Sequence, residues 1–383
     1  MVNGSIHSEL SRFFQIIQNN SVSSQSVTPA AFSKARKKVS FTAFKSLNEH
    51  LVKDFYCSDS VELWNGFRLL AVDGSVTSLP GNDALLDYFG KARSVSRYPS
   101  TRLSQLYDVC NKLSVDVQVA PHSNGERALA QKHLEFANTN DLILYDRGYP
   151  AVWLFILHLQ KNINFCARAN ADSNIIKNFI RSGKREDIVA ITCIEKSLRK
   201  CKELGLPTSP IKLRLVRVKL KGGGFEILIT SLLDKKTYPH RVFKDLYHQR
   251  WFVEEDYKVM KSRLQIENFS GLSVEAIKQD IHAKVLTKNI TALAISDANV
   301  VVEEKYRHRK RKYKINFTYS LSRFKDNIVR FILNLLPVDE ITLFIESLAG
   351  AVNAVRPGRS FVRVHQHQKR RPKRHSIAYK RAG

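Results

Sequence analysis

Apolar residues along this chain follow two patterns, which divide it into a helical beginning, a strand-rich middle and a helical end. In the middle, short and nearly continuous apolar runs are typical of strands that are buried on both faces of a sheet. These runs are residues 67–73 and 141–146, and residues 103–110, 113–120 and 163–167 are predicted to be further strands. Between them, residues 125–137 and 151–160 carry apolar positions at helical spacing. This order of elements predicts an α/β fold with a mixed sheet.

The same patterns predict six segments along the chain. Residues 1–65 are predicted to be helical, and 301–355 to form a second helical region. Two parts of an α/β core are expected at 66–169 and 241–300, separated by a β-rich insertion at 170–240. Within the insertion, strands are predicted at 189–194, 211–220 and 225–232, and Gly222-Gly-Gly224 is expected to join the last two as a hairpin turn. Residues 356–383 carry many cations and no acid, so we expect a basic tail that orders on nucleic acid.

Residues 247–261 form the stretch with the most specific chemistry. They contain no Pro or Gly, and we predict a helix. Tyr247, Arg250, Glu254 and Lys261 would then lie within about 60° of one another around the helix axis. The remaining apolar residues, which are expected to face the core, are Phe252, Val253, Val259 and Met260. A carboxylate beside a guanidinium, an ammonium and a phenol suits a divalent metal and a phosphodiester together. The alternative is a salt-bridged helix face, because Arg250 and Glu254 are an i,i+4 pair.

Two aspartates follow buried runs in the predicted sheet. Asp73 precedes Gly74-Ser75, and Asp146 precedes Arg147-Gly-Tyr149. Acids at the ends of central strands lie at the rim of a sheet, where ligands bind, although a single acid there is more often a turn former or a helix cap. Together with Glu254 they make three carboxylates, which is the type of ligand set that two hard cations need for displacement at phosphorus.

Charge points to a polyanionic partner. The 383 residues include 62 Lys and Arg against 35 Asp and Glu, which gives a net charge of +27. An excess of this size favours nucleic acid over a membrane surface, because the positive charge is spread along the whole chain. In the N-terminal region, Thr28-Pro29 begins a predicted helix whose cations are expected to contact a DNA backbone or, alternatively, to form a solvated face. These cations are Lys34, Arg36, Lys37 and Lys38.

Localisation follows from what the sequence does not contain. The apolar runs are far below the ~20 residues that a membrane span requires. No basic start followed by an apolar block is present at residues 1–20, so we expect no signal peptide. Five scattered cysteines without a CxxC pair indicate reduced thiols and disfavour a zinc site. We therefore expect a cytoplasmic protein without a membrane partner.

The motifs taken together resemble one family. Tyr247-x2-Arg250-x3-Glu254-x6-Lys261 matches the full Tyr-Arg-Glu-Lys signature of bacterial insertion-sequence transposases of the DDE type, in the group called insertion-sequence family four. Asp73-Gly-Ser75 and Asp146-Arg-Gly-Tyr149 are similar to the group's two aspartate motifs. The segments 267–271 and 31–36 are also typical of it. The resemblance covers essentially the whole chain.

The resemblance implies a ribonuclease H-like catalytic core with the β insertion between the second aspartate and the glutamate. It implies cut-and-paste DNA transposition through a hairpin intermediate, with Asp73, Asp146 and Glu254 as catalytic residues that bind two Mg²⁺ ions, for which Mn²⁺ can substitute. Tyr247, Arg250 and Lys261 would hold DNA phosphates. The helical region 1–65 would recognise the terminal inverted repeats, and a homodimer would synapse two DNA ends. A bacterial, nucleoid-associated location is implied as well.

Three points stay open at the level of sequence. Some relatives stack a Trp of the insertion on a flipped base, and the comparable position here is Phe225. Residues of about 315–350 recur at helical spacing and either contact a second subunit or pack on their own core; they are Phe324, Ile328, Phe331, Ile332 and Leu335. The alternative functions are a ribonuclease H-fold nuclease without strand transfer and a non-catalytic DNA-binding protein.

Overall fold

The structure is a computed structural model that describes residues 6–18, 27–92, 98–220, 222–333 and 335–356. The predicted basic tail, residues 356–383, lies outside the described residues except for Arg356.

One eight-stranded sheet organises the described chain. Its strands are β1 (Arg68–Ser78), β2 (Ser100–Asp108), β3 (Leu113–Pro121), β4 (Asp141–Tyr145), β5 (Asn164–Arg168), β6 (Glu186–Ile191), β7 (Ile211–Lys219) and β8 (Phe225–Thr230). Their order is β3-β2-β1-β4-β5-β8-β7-β6, in which β4 is parallel to both β1 and β5 and the other pairs are antiparallel. The predicted mixed sheet is therefore confirmed.

The central strands are buried on both faces. Every residue from Leu69 to Val72 in β1, and from Leu142 to Leu144 in β4, is 0% exposed. Apolar clusters cover the sheet on two sides, and helices pack over each of them. This two-sided burial is the reason that these strands are nearly continuous apolar runs in the sequence.

The predicted insertion contains its three strands but does not form a separate sheet. β8 pairs with β5 through Cys166 and Thr230, so β8, β7 and β6 extend the core sheet at one edge. Two helices, α7 (Asn174–Arg181) and α8 (Glu195–Glu203), lie in the same segment. The hairpin between β7 and β8 confirms the role predicted for the three glycines, two of which, Gly223 and Gly224, have positive φ.

The N-terminal region is helical throughout its described part. It forms α1 (Ile6–Gln18), α2 (Pro29–Arg36) and α3 (Phe41–Tyr56). Thr28 caps α2 as predicted, because its hydroxyl accepts a hydrogen bond from the Ala31 backbone N–H at 3.1 Å. α2 ends at Arg36, two residues before the predicted end.

Five further helices pack on the core sheet. They are α4 (Asp83–Phe89), α5 (Glu126–His133), α6 (Val152–Gln160), α9 (Val242–His248) and α10 (Trp251–Ser262). The single helix predicted at 247–261 is thus divided into α9 and α10. At the junction, the N–H groups of Gln249 and Arg250 bond carbonyls three residues back, at 3.2 and 3.1 Å, which tightens the last turn of α9.

The apolar face predicted for this stretch is only partly buried. Val253 and Met260 are 0% exposed and belong to the core, whereas Phe252 is 49% exposed. The prediction that Phe252 faces the core is therefore wrong. The reason is that residues 252 and 253 point about 100° apart around the axis, and α10 packs on the sheet through Val253.

The longest helix among the described residues is α11 (Val274–Tyr306). Ser273 caps it, because its hydroxyl accepts a hydrogen bond from the Ala276 backbone N–H at 3.1 Å. Among the described residues, α11 is the one helix whose length and composition would allow it to cross a membrane. It carries the buried cation Lys288 and packs against α3 and β3, so it is a core helix of this fold.

The C-terminal region packs on the end of α11. Its elements are β9 (Tyr313–Ile315), α12 (Phe317–Ile332), α13 (Val338–Leu348) and β10 (Val352–Ala354). The rings of Phe324 and Phe331 contact Phe344 at centroid distances of 4.9 and 5.1 Å, so both residues pack on their own core. Ile332 and Leu335 are instead exposed. Phe324 and Phe331 thus follow the own-core alternative, and contact of this region with a second subunit stays a prediction.

Candidate active site

Asp73 and Asp146 lie side by side because of how β1 and β4 pair. The last paired residues of these parallel strands are Val72 and Tyr145, and each aspartate comes next. β1 does not end at Asp73, as the sequence led us to expect, but continues to Ser78 in pairing with β2. Asp73 therefore belongs to a strand that continues past the end of its neighbour, which opens space beside it for side chains from other elements.

Helix α10 brings Glu254 to this point. Its Tyr257 hydroxyl donates to the backbone carbonyl of Asp73 at 3.0 Å, and its Lys261 ammonium donates to the Val76 carbonyl at 3.1 Å. Glu254 lies one turn before Tyr257 on the same helix. The two anchoring bonds thus hold the helix face that carries Glu254 against the strand that carries Asp73.

Electrostatics indicates that the three carboxylates share one environment. The pKa of Asp73 is raised from 3.8 to about 6, mainly by burial and also by the charges of Glu254 and Asp146. The Gly74 backbone N–H and the Arg250 guanidinium act in the opposite direction. Like charges raise a carboxyl pKa when they are near and incompletely screened. The charges of Glu254 and Asp146 therefore both act on the Asp73 carboxyl.

Arg250 forms the ion pair that its spacing predicted. Its terminal nitrogen donates to Glu254 at 2.7 Å. The helix face that was predicted either to form a salt bridge or to bind a metal and a phosphodiester therefore carries the salt bridge. The guanidinium is largely buried, and its Nε has no hydrogen-bond partner among the residues that the structure describes. Arg250 is thus close enough to the acids to balance part of their charge.

Tyr247 and Lys261 differ in their access to a ligand. The phenol of Tyr247 is buried and donates to the backbone carbonyl of Tyr145 at 3.3 Å, immediately before Asp146. Through that bond Tyr247 positions the end of β4, and its contact with a DNA phosphate stays a prediction. Lys261 is exposed, and its ammonium donates to the Val76 carbonyl at 3.1 Å.

The donor chemistry of the site fits divalent cations. Carboxylate oxygens are the preferred ligands of Mg²⁺, and a desolvated carboxylate such as Asp73 gains from a nearby positive charge. In the described part of the chain, no three His, Cys, Asp or Glu side chains lie close enough together to hold an ion as they stand. Binding would therefore require side-chain movement, and the Arg250–Glu254 ion pair is one contact that competes with it.

Three site residues were not predicted from the sequence. Glu126, in the first turn of α5, accepts from Arg102 at 2.7 Å and lies beside Gly74 and Gly148. Tyr149 is buried next to it, and burial together with the charge of Glu226 on β8 raises the pKa of Tyr247. No sequence pattern distinguishes Glu126, because an acid in the first turn is common in any helix.

The four cations predicted in the N-terminal region differ in their contacts. Arg36 bonds Gln279 at 2.7 Å and Asp280 at 2.9 Å, and it also contacts Ser270 and the Ala276 carbonyl. Its guanidinium therefore fixes α2 to α11, and we withdraw it from the candidate DNA contacts. The remaining three cations, all exposed, are Lys34, Lys37 and Lys38.

Phe225 begins β8 at the edge of the insertion hairpin. Its ring is 43% exposed, and the Arg217 guanidinium lies 4.8 Å from the ring centroid. Arg217 is itself held by the backbone carbonyls of Phe179 and Ile180, at 3.0 and 2.7 Å. The ring is thus supported by a fixed cation, an arrangement that is compatible with stacking on its exposed side.

Comparison with known proteins gives consistent matches. The family described as "Transposase DDE domain" matches residues 64–290. The chain is 24% identical over 273 residues to "Transposase InsG for insertion sequence element IS4" of Escherichia coli (strain K12), covering 69% of this chain and 60% of that protein. It is 26% identical over 162 residues to "Putative transposase InsZ" of the same strain, covering 40% of this chain and 53% of that protein. The chain thus spans 60% or less of the length of these curated relatives.

Among solved structures, the chain is similar to a piggyBac transposase synaptic complex with hairpin DNA. The TM-score is 0.38 and the sequence identity 13%, covering 76% of this chain and 59% of that one.

Proposed function

The chain belongs to the transposase DDE domain family, and on that premise we propose that it is a DNA transposase of an insertion sequence. The proposed reaction is cut-and-paste transposition. The protein binds terminal inverted repeats, cleaves DNA by metal-dependent phosphoryl transfer and joins the freed ends to target DNA. The observation that carries the proposal is the position of Asp73 and Asp146 directly after the last paired residues of β1 and β4, with the charge of Glu254 also acting on Asp73.

Asp73, Asp146 and Glu254 would hold two Mg²⁺ ions, for which Mn²⁺ would substitute. When bound, such ions lower the pKa of an attacking water or hydroxyl and stabilise the leaving oxygen. Arg250 and Lys261 would bind the phosphates beside the scissile bond. Charge-assisted contacts of this kind are worth roughly 1.5–3 kcal/mol each. Tyr257 would keep Glu254 in place through its bond to the Asp73 carbonyl.

The direct test uses the purified full chain, Mg²⁺ and DNA that bears the element's own ends. We expect strand cleavage followed by joining to a target plasmid. Glu254→Gln should abolish cleavage while DNA affinity stays within about twofold. The matched control is Glu255→Gln, since Glu255 is the adjacent, exposed acid that pairs with Lys258 instead. Near-normal cleavage by Glu254→Gln would contradict the assignment.

The same assay separates the alternative functions. Cleavage without joining would identify a ribonuclease H-fold nuclease, and DNA binding without cleavage under any divalent cation would identify a non-catalytic DNA-binding protein. A hairpin intermediate would appear as a terminal product that denaturing electrophoresis resolves. Phe225→Ala should reduce that product more than the initial nick if Phe225 stacks on a flipped base.

Recognition of the ends is assigned to the helices of residues 1–65. Lys34, Lys37 and Lys38 would contact the DNA backbone, which positions a protein but does not specify a sequence. Replacing all three with Gln should weaken binding to every DNA sequence. It should also reduce the slope of log affinity against log salt concentration by the equivalent of up to about three phosphate contacts. An unchanged salt slope would contradict this role.

The active form is proposed to be a homodimer in a synaptic complex, in the bacterial cytoplasm. An apolar surface at the end of α12 and in α13 is the candidate contact, and its exposed members are Ile332, Leu333, Leu335, Val338 and Leu343. A mixture of Glu254→Gln protein with a variant defective in end binding tests synapsis in trans. Restored cleavage supports it, whereas a monomeric complex that cuts at full rate contradicts it.

A further inference from the structure

Glu126 is an acid that the three-carboxylate assignment does not include. It stands in the first turn of α5, the helix that connects β3 to β4, and it lies near Gly74 of β1 and Gly148, which follows Asp146. A Cβ atom built on Gly74 would lie 3.5 Å from Glu126 Oε1, and one built on Gly148 would lie 3.6 Å from Oε2. The Glu126 carboxylate therefore lies between the residue after Asp73 and the second residue after Asp146.

The position of Glu126 is fixed by its neighbours. Arg102 on β2 donates to Oε1 at 2.7 Å, and its own side chain is only 18% exposed. The next residue of α5, Arg127, donates to the carbonyls of Gly148 and Tyr149 at 3.1 Å each. These bonds hold the start of α5 against the turn that follows Asp146. A surface glutamate that merely caps a helix would not need contacts to two separate strands.

A second observation points to a ligand at this place. The hydroxyl of Tyr149 is buried and has no hydrogen-bond partner within the described residues, and it lies 3.5 Å from the same Gly74 Cβ position. Burial raises the pKa of Tyr149, and the charges of Asp73 and Glu126 raise it further. The phenol of Tyr149 and the Glu126 carboxylate therefore both lie against Gly74, the residue after Asp73. A buried hydroxyl without a partner costs free energy unless a bound molecule, such as water held by an ion, completes its bonding.

We propose that Glu126 is a fourth acidic residue of the cation site, held by Arg102 until a divalent cation takes the guanidinium's place. The inference rests on the proposed two-cation function and extends it to a residue outside the signature motifs. Mg²⁺ keeps several of its waters when it binds protein. Glu126 would either ligate the cation or accept a hydrogen bond from one of these waters, and the Tyr149 hydroxyl would bond a water of the same shell.

Competition between Arg102 and the cation for Glu126 has a consequence that a purely structural ion pair between Arg102 and Glu126 does not have. If Arg102 competes with the cation for Glu126, then removing Glu126 weakens cation binding while removing Arg102 strengthens it. If the pair only stabilises the fold, then both changes lower stability and shift cation affinity in the same direction or not at all. Opposite signs for the two variants are therefore diagnostic.

The experiment is a titration of the full-length protein with Mn²⁺ in the absence of DNA, with free Mn²⁺ measured by electron paramagnetic resonance. We expect Glu126→Gln to weaken binding about tenfold, in the range found for residues that support metal ligands. Arg102→Gln is expected to tighten it a few-fold. Glu135→Gln is the matched control, because Glu135 is exposed and follows the other end of α5. If Glu126→Gln fails to fold by circular dichroism, Glu126→Asp replaces it and should weaken binding by a smaller factor.

The outcomes separate this inference from the proposed function. Unchanged Mn²⁺ affinity in Glu126→Gln, or shifts of the same sign in the two variants, would overturn the role of Glu126. If Asp73→Asn and Glu254→Gln also left the affinity unchanged, the two-cation function itself would be wrong. Weakened binding in those two variants with no change in Glu126→Gln would leave the function standing and remove only Glu126 from the site.

Discussion

Asp73→Asn is expected to stabilise the metal-free protein at neutral pH. The carboxyl pKa of Asp73 rises on folding from 3.8 to about 6, first because of burial and then because of Glu254 and Asp146. When the pKa of a carboxyl is higher in the folded state than in the unfolded state, protonation favours the folded state. This contribution to the unfolding free energy is fully present below the unfolded-state pKa and is lost as the pH rises through the folded-state pKa. Folding with Asp73 ionised is therefore penalised at pH 7.5, and the neutral isostere removes the penalty.

The expected gain in unfolding free energy follows from the rise in the pKa of Asp73. A difference of about two pKa units corresponds to about 3 kcal/mol of unfolding free energy at pH 7.5. At pH 5 the folded carboxyl of Asp73 is mostly protonated, so the advantage of Asp73→Asn falls to about half of its value at pH 7.5. At pH 4 it falls to less than about 1 kcal/mol. The amide can still accept the backbone hydrogen bond from Gly74, so few other contacts change.

The assay is urea unfolding of wild type and Asp73→Asn in EDTA at pH 7.5 and pH 5, followed by circular dichroism. Glu135→Gln serves as the surface control and should change the free energy by less than about 0.5 kcal/mol. Adding Mg²⁺ should stabilise the wild type more than Asp73→Asn, because only the carboxylate gains a bound cation. A destabilised Asp73→Asn protein, or a difference that does not depend on pH, would refute the reasoning.

Two further predictions concern the contacts that join the helices to the core. Lys288→Met should lower the unfolding free energy by about 3–5 kcal/mol, because it leaves the buried Asp256 carboxylate without its ammonium partner at 2.6 Å. The double variant that adds Asp256→Asn should recover part of this loss in urea unfolding, and no recovery would contradict the pairing. Arg36→Gln should increase hydrogen exchange in α2 by breaking its bonds to Gln279 and Asp280, whereas Lys34→Gln on the exposed face of α2 should not. Equal exchange in both variants would remove Arg36 as the docking residue.

The sequence by itself determined the central strands and the acids beside them. The runs that became β1 and β4 are apolar because both of their faces are buried, and that pattern is readable without knowing the partners. Asp73 and Asp146 follow those runs directly in the chain, and Glu254 follows Arg250 by one helical turn. The local sequence pattern was enough in each case, because strand or helix formation and the position of an acid along it depend on near neighbours in the chain.

Only the tertiary structure decided which distant groups meet. The pairing of Cys166 with Thr230 joins the insertion strands to the core sheet, and no local pattern encodes that choice. Arg36 has the same exposed-helix sequence pattern as the lysines around it, yet its position opposite Asp280 makes it a docking residue. Glu126 is likewise an ordinary first-turn acid until α5 crosses from β3 to β4 and places it between Gly74 and Gly148. A side chain's partners depend on how elements far apart in sequence pack together, whereas its secondary structure depends mostly on residues within a few positions of it.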